Sequence, residues 1–88
     1  MYYVYVLFSE KDKKFYTGYS SDLKTRVESH LKGSVSATRS RLPLKLVYYE
    51  AFSDETAARK QEIFYKTGQG RRVLKKRLEF LEKYKNKI

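Results

Sequence analysis

The chain contains no cysteine and a single histidine, His30. That removes disulfides, thiolate zinc sites, cysteine nucleophiles and multi-histidine metal clusters together. Chemistry must rest on oxygen groups and on the nitrogens of arginine, lysine and one imidazole. No apolar run approaches the roughly 18 residues of a membrane span. The opening MYYVYVLFSEKDKK places its basic residues after the apolar run, the reverse of a secretory signal. The expected location is therefore the cytoplasm, with no membrane partner. Acid is also scarce: ten Asp and Glu against twenty Lys and Arg leave a net charge of +10 over 88 residues. Two stretches have none at all. One runs from 32 to 45 with Lys32, Arg39, Arg41 and Lys45; the other runs from 63 to 78 with Lys66, Arg71, Arg72, Lys75, Lys76 and Arg77. Solubility needs only about 2 to 8 net charges with mixed signs. Clustering of this kind points to an anionic partner, nucleic acid first, against the alternatives of a solvated surface or an acidic protein or lipid partner.

A chain of this length supports one core. Nine tyrosines and five phenylalanines are enough to fill it despite a charged share of 34%. Residues 1 to 8 are apolar at both alternating sets of positions, which predicts a central strand covered on both faces. Polar residues 9 to 13 separate it from a second β-rich run at 14 to 19, the spacing of an antiparallel hairpin. Asp22 and its serines are capping residues; Leu23, Val27 and Leu31 then recur at helical spacing until Gly33, predicting a helix over 22–32. A third strand is expected at 44–52 after Pro43. A second helix is expected from Ser53-Asp54 to about Lys66, and a third from 71 to 84 after a break at Thr67-Gly68-Gln69-Gly70. The order β-β-α-β-α-α predicts an α+β fold, a three-stranded antiparallel sheet flanked by helices, as one domain over 1–84 with a frayed basic tail at 85–88.

The same pattern brings a few polar groups to the margin of the core. Arg26 and His30 fall along the edge of the first helix's apolar stripe. Glu62 is flanked by Ala58 and Tyr65 on the packing side of the second helix. The hairpin pairs the strand bearing Tyr3 and Tyr5 with the strand bearing Tyr16, and Gly18 is expected to leave open space beside Tyr16.

Tyr3-Val4-Tyr5, then Tyr16-Thr17-Gly18 with eleven residues from Tyr5 to Tyr16, then Arg26 with His30, Glu62 on a later helix and Lys66-Thr67-Gly68-Gln69-Gly70-Arg71 resemble, in that order, the GIY-YIG nuclease family. The resemblance is to its short single-domain bacterial members and to the nuclease domain of the excision-repair incision protein. It covers residues 2 to about 78. What it implies is an endonuclease that hydrolyses DNA phosphodiesters with one divalent cation, Mg²⁺ or Mn²⁺, held by Glu62. DNA is the implied partner, with RNA as a variant substrate and DNA repair or processing as the setting. The chemistry agrees with that implication. A hard cation prefers carboxylate oxygen and keeps several waters. Arg26 can fork onto a phosphate. Tyr16 is the first choice for positioning or deprotonating water, with Tyr5 hydrogen-bonded nearby, and His30 can orient a tyrosine or bind phosphate. A phenol with a pKa of about 10 needs help from a nearby cation to act as a base.

Plainer readings stand beside these. Arg26 could pair with Asp22, Glu62 with Lys66 or Arg59, His30 could be a core-edge histidine, and the two glycines after Lys66 could serve a helix-helix turn rather than an anion site. Tyr3 replaces the family's first glycine and Thr17 its isoleucine, and Tyr19 stands where larger members often carry lysine. With no room for an added DNA-binding domain, specificity is expected to be weak, structure-selective or supplied by a protein partner. A non-catalytic nucleic-acid-binding module, or a subunit of a larger complex, is the rival class.

Overall fold

The computed structural model describes residues 1–86, with side chains to residue 81. Its elements follow the expected order: β1 (Tyr2–Ser9), β2 (Phe15–Ser20), α1 (Leu23–Leu31), β3 (Leu44–Phe52), α2 (Glu55–Tyr65) and α3 (Gly68–Asn86), with a short 3₁₀ turn at Arg39–Arg41. The starts of α1 and α2 are set by acids. The Asp22 carboxylate accepts from Thr25 N–H and the Asp54 carboxylate from Ala57 N–H, each satisfying a donor that the first turn leaves open. Of the tail expected at 85–88, residues 85 and 86 continue α3, and 87 and 88 lie outside the described residues.

The sheet is antiparallel throughout with the order β2-β1-β3, so the apolar run of β1 is the central strand. Val4, Tyr5, Val6 and Leu7 are all buried because successive side chains enter opposite faces and both faces are covered. Val4 and Val6 pack with Ala58, Tyr65 and Leu74 under α2 and α3. Tyr5 and Leu7 pack on the other face with Leu44, Leu23, Leu42 and Tyr16. The α2–α3 side is pinned to β3 by Glu50, whose carboxylate accepts from the hydroxyls of Tyr48 and Tyr65, from Gln61 Nε2 and from the Arg77 guanidinium.

Three local expectations need correction. Leu31 is largely exposed, and His30 takes its place in the interior at 0% exposure. The apolar run 46–49 predicts a β3 covered on both faces, yet Leu46, Val47 and Tyr49 remain substantially exposed. The interruption between the last two helices is confined to Lys66 and Thr67; the Thr67 hydroxyl accepts from Gly70 N–H, so both glycines lie in the first turn of α3.

The two glycines have different reasons. A side chain at Gly70 would meet the Phe64 carbonyl oxygen at 1.7 Å and Tyr65 Cα at 2.9 Å, both backbone, so this contact sets how closely α3 follows α2. A side chain at Gly68 would meet nothing nearer than an Arg72 nitrogen at 3.8 Å. Alanine favours a helix over glycine by about 1 kcal/mol, whereas forcing a methyl into packed backbone costs about 1 to 3 kcal/mol or more. Gly70→Ala should therefore lower the urea unfolding free energy by about 2 kcal/mol, and Gly68→Ala should leave it level or raise it by a few tenths, as read from denaturation midpoints at constant slope.

Candidate active site and nucleic-acid groove

Tyr5 faces Gly18 directly across the hairpin. The Tyr5 ring occupies the space that a side chain at Gly18 would need: a Cβ there would stand 2.3 Å from the phenol oxygen. Gly18 thus lies in mid-strand as the bed of a tyrosine, rather than as a strand end opening space beside Tyr16. Tyr5 Oη lies 2.8 Å from His30 Nε2, and His30 Nδ1 lies 2.7 Å from Thr38 Oγ1. The Tyr5 and Tyr16 rings both pack on the imidazole, with centroids 5.5 and 5.2 Å from it. His30 is therefore an interior group between two tyrosines rather than a residue at the core's edge.

Electrostatics tie the remaining residues to this cluster. Burial raises the Tyr5 pKa above its usual 10; the Arg26 guanidinium pulls the other way, while Tyr16 and the Glu62 carboxylate add to the rise. Arg26 is exposed and makes no salt bridge with Asp22, whose carboxylate is engaged in capping α1. Glu62 Oε2 accepts from Lys66 Nζ at 3.1 Å, so the helix-surface pairing of these two forms in the free protein. Its other oxygen has no partner among the described residues. Burial, with Arg26 in support, brings His30 down from 6.5 to about 4, so the imidazole is neutral at physiological pH.

Along the free edge of β2 runs a groove of about 810 Å³. Tyr16 and Thr17, from opposite faces of the strand, both line it, with Phe15 beside them and Tyr65, Leu74 and Leu78 from the helices. Among the described residues its charged lining is wholly basic: Lys13, Lys14, Arg41, Lys66, Arg71 and Lys75. Arg71 and Lys75 are four apart and so share one side of α3. Arg41 is also committed to Asp12 at 2.7 Å, which pulls that carboxyl down to about 2. The other basic residues singled out from the sequence stand elsewhere. Lys76 lines a separate depression with Tyr48, Arg77, Phe80 and Leu81; Arg72 lies toward Gly68; Lys32 caps the end of α1 and Arg39 opens the 3₁₀ turn, both exposed. Lys13 and Lys14 were not foreseen. Their signal is faint, two cations in a turn that also holds Glu10 and Asp12.

Among the described residues, no group of three or more His, Asp or Glu side chains converges, so an all-protein metal cage is absent there. What the cluster offers is one helix carboxylate with one oxygen unengaged. Such a donor set fits a hard cation that keeps most of its own waters, and no other kind.

Comparison with known proteins finds a matching family, similar sequences and a similar fold. The model of the GIY-YIG catalytic domain matches residues 1–77. UPF0213 proteins of Streptococcus pyogenes serotypes M5 and M3 are each 46% identical over 65 residues, 73% of this chain and 70% of theirs. The solution structure of a UPF0213 protein from Bacillus halodurans superposes with a TM-score of 0.53 at 33% identity, covering 84% of this chain and 82% of that one.

The neutral, buried imidazole has a consequence for stability. The unfolded chain takes up a proton near pH 6.5 that the folded chain refuses until about pH 4, so this contribution is complete above 6.5 and is lost as pH falls toward 4. The carboxylates with lowered pKa values, Glu10, Asp12, Glu50 and Glu55, lose theirs at lower pH. Between pH 7 and pH 5 the urea midpoint of the wild type should therefore fall, while that of His30→Gln, though lower overall, should stay nearly flat. Equal slopes for the two proteins would mean that His30 is accessible to protons in the folded state.

Proposed function

The chain belongs to the GIY-YIG family, a family of nucleases, and is similar to its UPF0213 members, and from that premise we propose that it is a divalent-cation-dependent endonuclease hydrolysing DNA phosphodiesters. The proposed cutting is structure-selective or of low sequence specificity, in DNA repair or processing. The observation that carries this reading is the meeting of the tyrosine cluster with the acid-free groove: Tyr16 belongs to both, and Lys66 connects the groove to Glu62.

In this reading the groove cations hold the phosphate backbone, and the absence of acid along it prevents repulsion. Arg26, free of Asp22, forks onto the scissile phosphate and stabilises its growing charge. Glu62 holds Mg²⁺ or Mn²⁺, which when bound would supply charge neutralisation and a more acidic water. Tyr16, half-buried in the groove wall, positions and deprotonates the attacking water, while Tyr5, nearly sealed at 1% exposure, supports it from behind. Sequence discrimination is left to the shape of the DNA or to a protein partner, since phosphate contacts orient without reading bases. RNA, as another polyanion the groove could take, is a competitor to be tested alongside.

The experiment is incubation of the purified protein with supercoiled, single-stranded and branched DNA in Mg²⁺ or Mn²⁺. Glu62→Gln should abolish cleavage while leaving the fold and most of the DNA affinity. A wild-type rate in that variant would move the cation site elsewhere. Binding by the wild type without any cutting would instead favour a non-catalytic module. Tyr16→Phe should slow cleavage by the ~10²- to 10⁴-fold of a lost general base, and Tyr5→Phe by less. Rates within about threefold of wild type for Tyr16→Phe would leave it a packing residue.

The groove makes a separate prediction about salt. Each neutralised phosphate contributes about 0.9 to the slope of log affinity against log salt on duplex DNA. The Arg71→Ala, Lys75→Ala pair should flatten that slope by about two units. Replacing Arg72 and Lys76, which stand outside the groove, should change it by clearly less, and equal effects from the two pairs would show that the backbone is bound over the whole helix.

A further inference from the structure

The groove along β2 is lined by more than cations. Phe15, Tyr16, Tyr65, Leu74 and Leu78 stand among its lysines and arginines. Phosphates need none of that apolar surface, since cations and N–H donors meet them. Tyr65 and Leu74 are buried and belong to the core. Phe15 differs. At 45% exposure it is, among the described residues, the one exposed large apolar side chain in the groove lining.

A single exposed ring on a protein surface needs no explanation by itself. The setting of this one supplies a reason. Lys13 and Lys14 precede it directly, Arg41 Nη2 donates to its carbonyl oxygen at 3.4 Å, and Tyr16 follows it. The ring is supported by its cross-strand neighbour Phe8, with centroids 5.3 Å apart, and the Lys45 ammonium stands over Phe8 at 5.7 Å. Phe15 is thus braced by one aromatic neighbour and open to solvent in a groove whose charged lining is positive.

An aromatic face fixed in a cationic groove is the combination that holds a single nucleic-acid strand: the cations track the backbone, and bases of any identity stack on the ring. A duplex has no equivalent use for it. Its bases are stacked on one another and show only their edges in the grooves. Turning one out costs unstacking energy, least where the base is already unpaired.

We propose that Phe15 is a base-stacking residue that determines specificity, and that the groove therefore takes an unpaired DNA strand, free or at a branch, in preference to duplex. A base seated on Phe15 leaves its flanking phosphates at the edge of β2 beside Tyr16, the next residue, so the cut falls in or next to the unpaired segment. The stacking rests on the nucleic-acid reading of the groove, and the position of the cut rests on the nuclease reading above.

The protein has no tryptophan, so Phe15→Trp installs a single indole at the proposed seat and keeps an aromatic face there. In EDTA, which prevents metal-dependent cutting, a short oligothymidylate should quench the indole emission. An abasic strand of equal length, with the phosphates but without bases, should bind more weakly and leave the emission unchanged, and an intact duplex should leave it nearly so. Phe15→Leu, which stays apolar, should lose affinity for the single strand by about five- to a hundredfold, the range for one lost base stack. Its duplex affinity, and the slope of its single-strand affinity against log salt, should stay at wild-type values because the phosphate contacts remain. Both affinities are read by fluorescence anisotropy of labelled DNA. Unchanged single-strand affinity in Phe15→Leu, equal losses on single strand and duplex, or equal quenching by the abasic strand would each overturn the proposal. Should Phe15→Leu not fold, the quenching by the three DNAs decides alone. Failure of the wild type to bind any DNA overturns the nucleic-acid reading itself, together with the stacking. Stacking without cutting in Mg²⁺ or Mn²⁺ supports the base seat and overturns the position of the cut along with the nuclease reading.

Discussion

The site depends on a tyrosine occupying the place of a missing side chain. Because Gly18 has no Cβ, the Tyr5 ring can lie against the backbone of β2, and only there does its oxygen come within hydrogen-bond reach of His30. That bond fixes the imidazole, the imidazole supports the Tyr16 ring, and its second nitrogen holds Thr38 and with it the loop that leads into β3. One steric vacancy in the hairpin is thereby converted into a polar chain through the interior, with both imidazole nitrogens satisfied.

The sheet's two faces divide the work. On one side α2 and α3 close over Val4 and Val6, and the Glu50 carboxylate binds groups from β3, α2 and α3 into one rigid block. On the other, a nine-residue helix and a loop cover the tyrosine cluster. Edge strand β2 lies where the two meet, and groups from both faces converge along it. A site at an edge has access to solvent and to a long polyanion, whereas the central strand, buried on both sides, can supply a supporting phenol but no contact surface.

Much of this was legible in the sequence because it rests on short-range pattern. The doubly apolar run at residues 1 to 8 could only be a central strand, and Asp22, Asp54 and Gly33 mark helix ends by their own chemistry. Tyr5, Tyr16, Arg26, His30 and Glu62 were singled out from motif order, and the fold does bring them within electrostatic reach of one another. What the sequence hid depends on three-dimensional juxtaposition. Nothing local distinguishes a glycine that frees space from one whose space is taken by a residue thirteen positions earlier. Thr38 reads as a loop threonine until the loop is folded onto α1. Glu50 looks like a strand's exposed acid, yet four groups donate to its carboxylate. The basic stretch of α3 reads as one patch in sequence, but the helical repeat sends Arg71 and Lys75 into the groove and Lys76 to a different surface.

The one-signed groove also bears on how the molecule meets its partner. Six cations line one side, whereas Asp22 and Glu28, with Lys24 between them, border a depression at α1 and β3. Such a separation gives the protein an electric moment, so in the field of a polyanion it turns while still diffusing and arrives groove first. At low ionic strength a larger share of collisions is then productive, and the gain fades once the screening length, about 10 Å at 0.1 M salt, drops below the width of the domain. Even without base-reading contacts, the fold therefore carries a preference for which of its surfaces makes first contact.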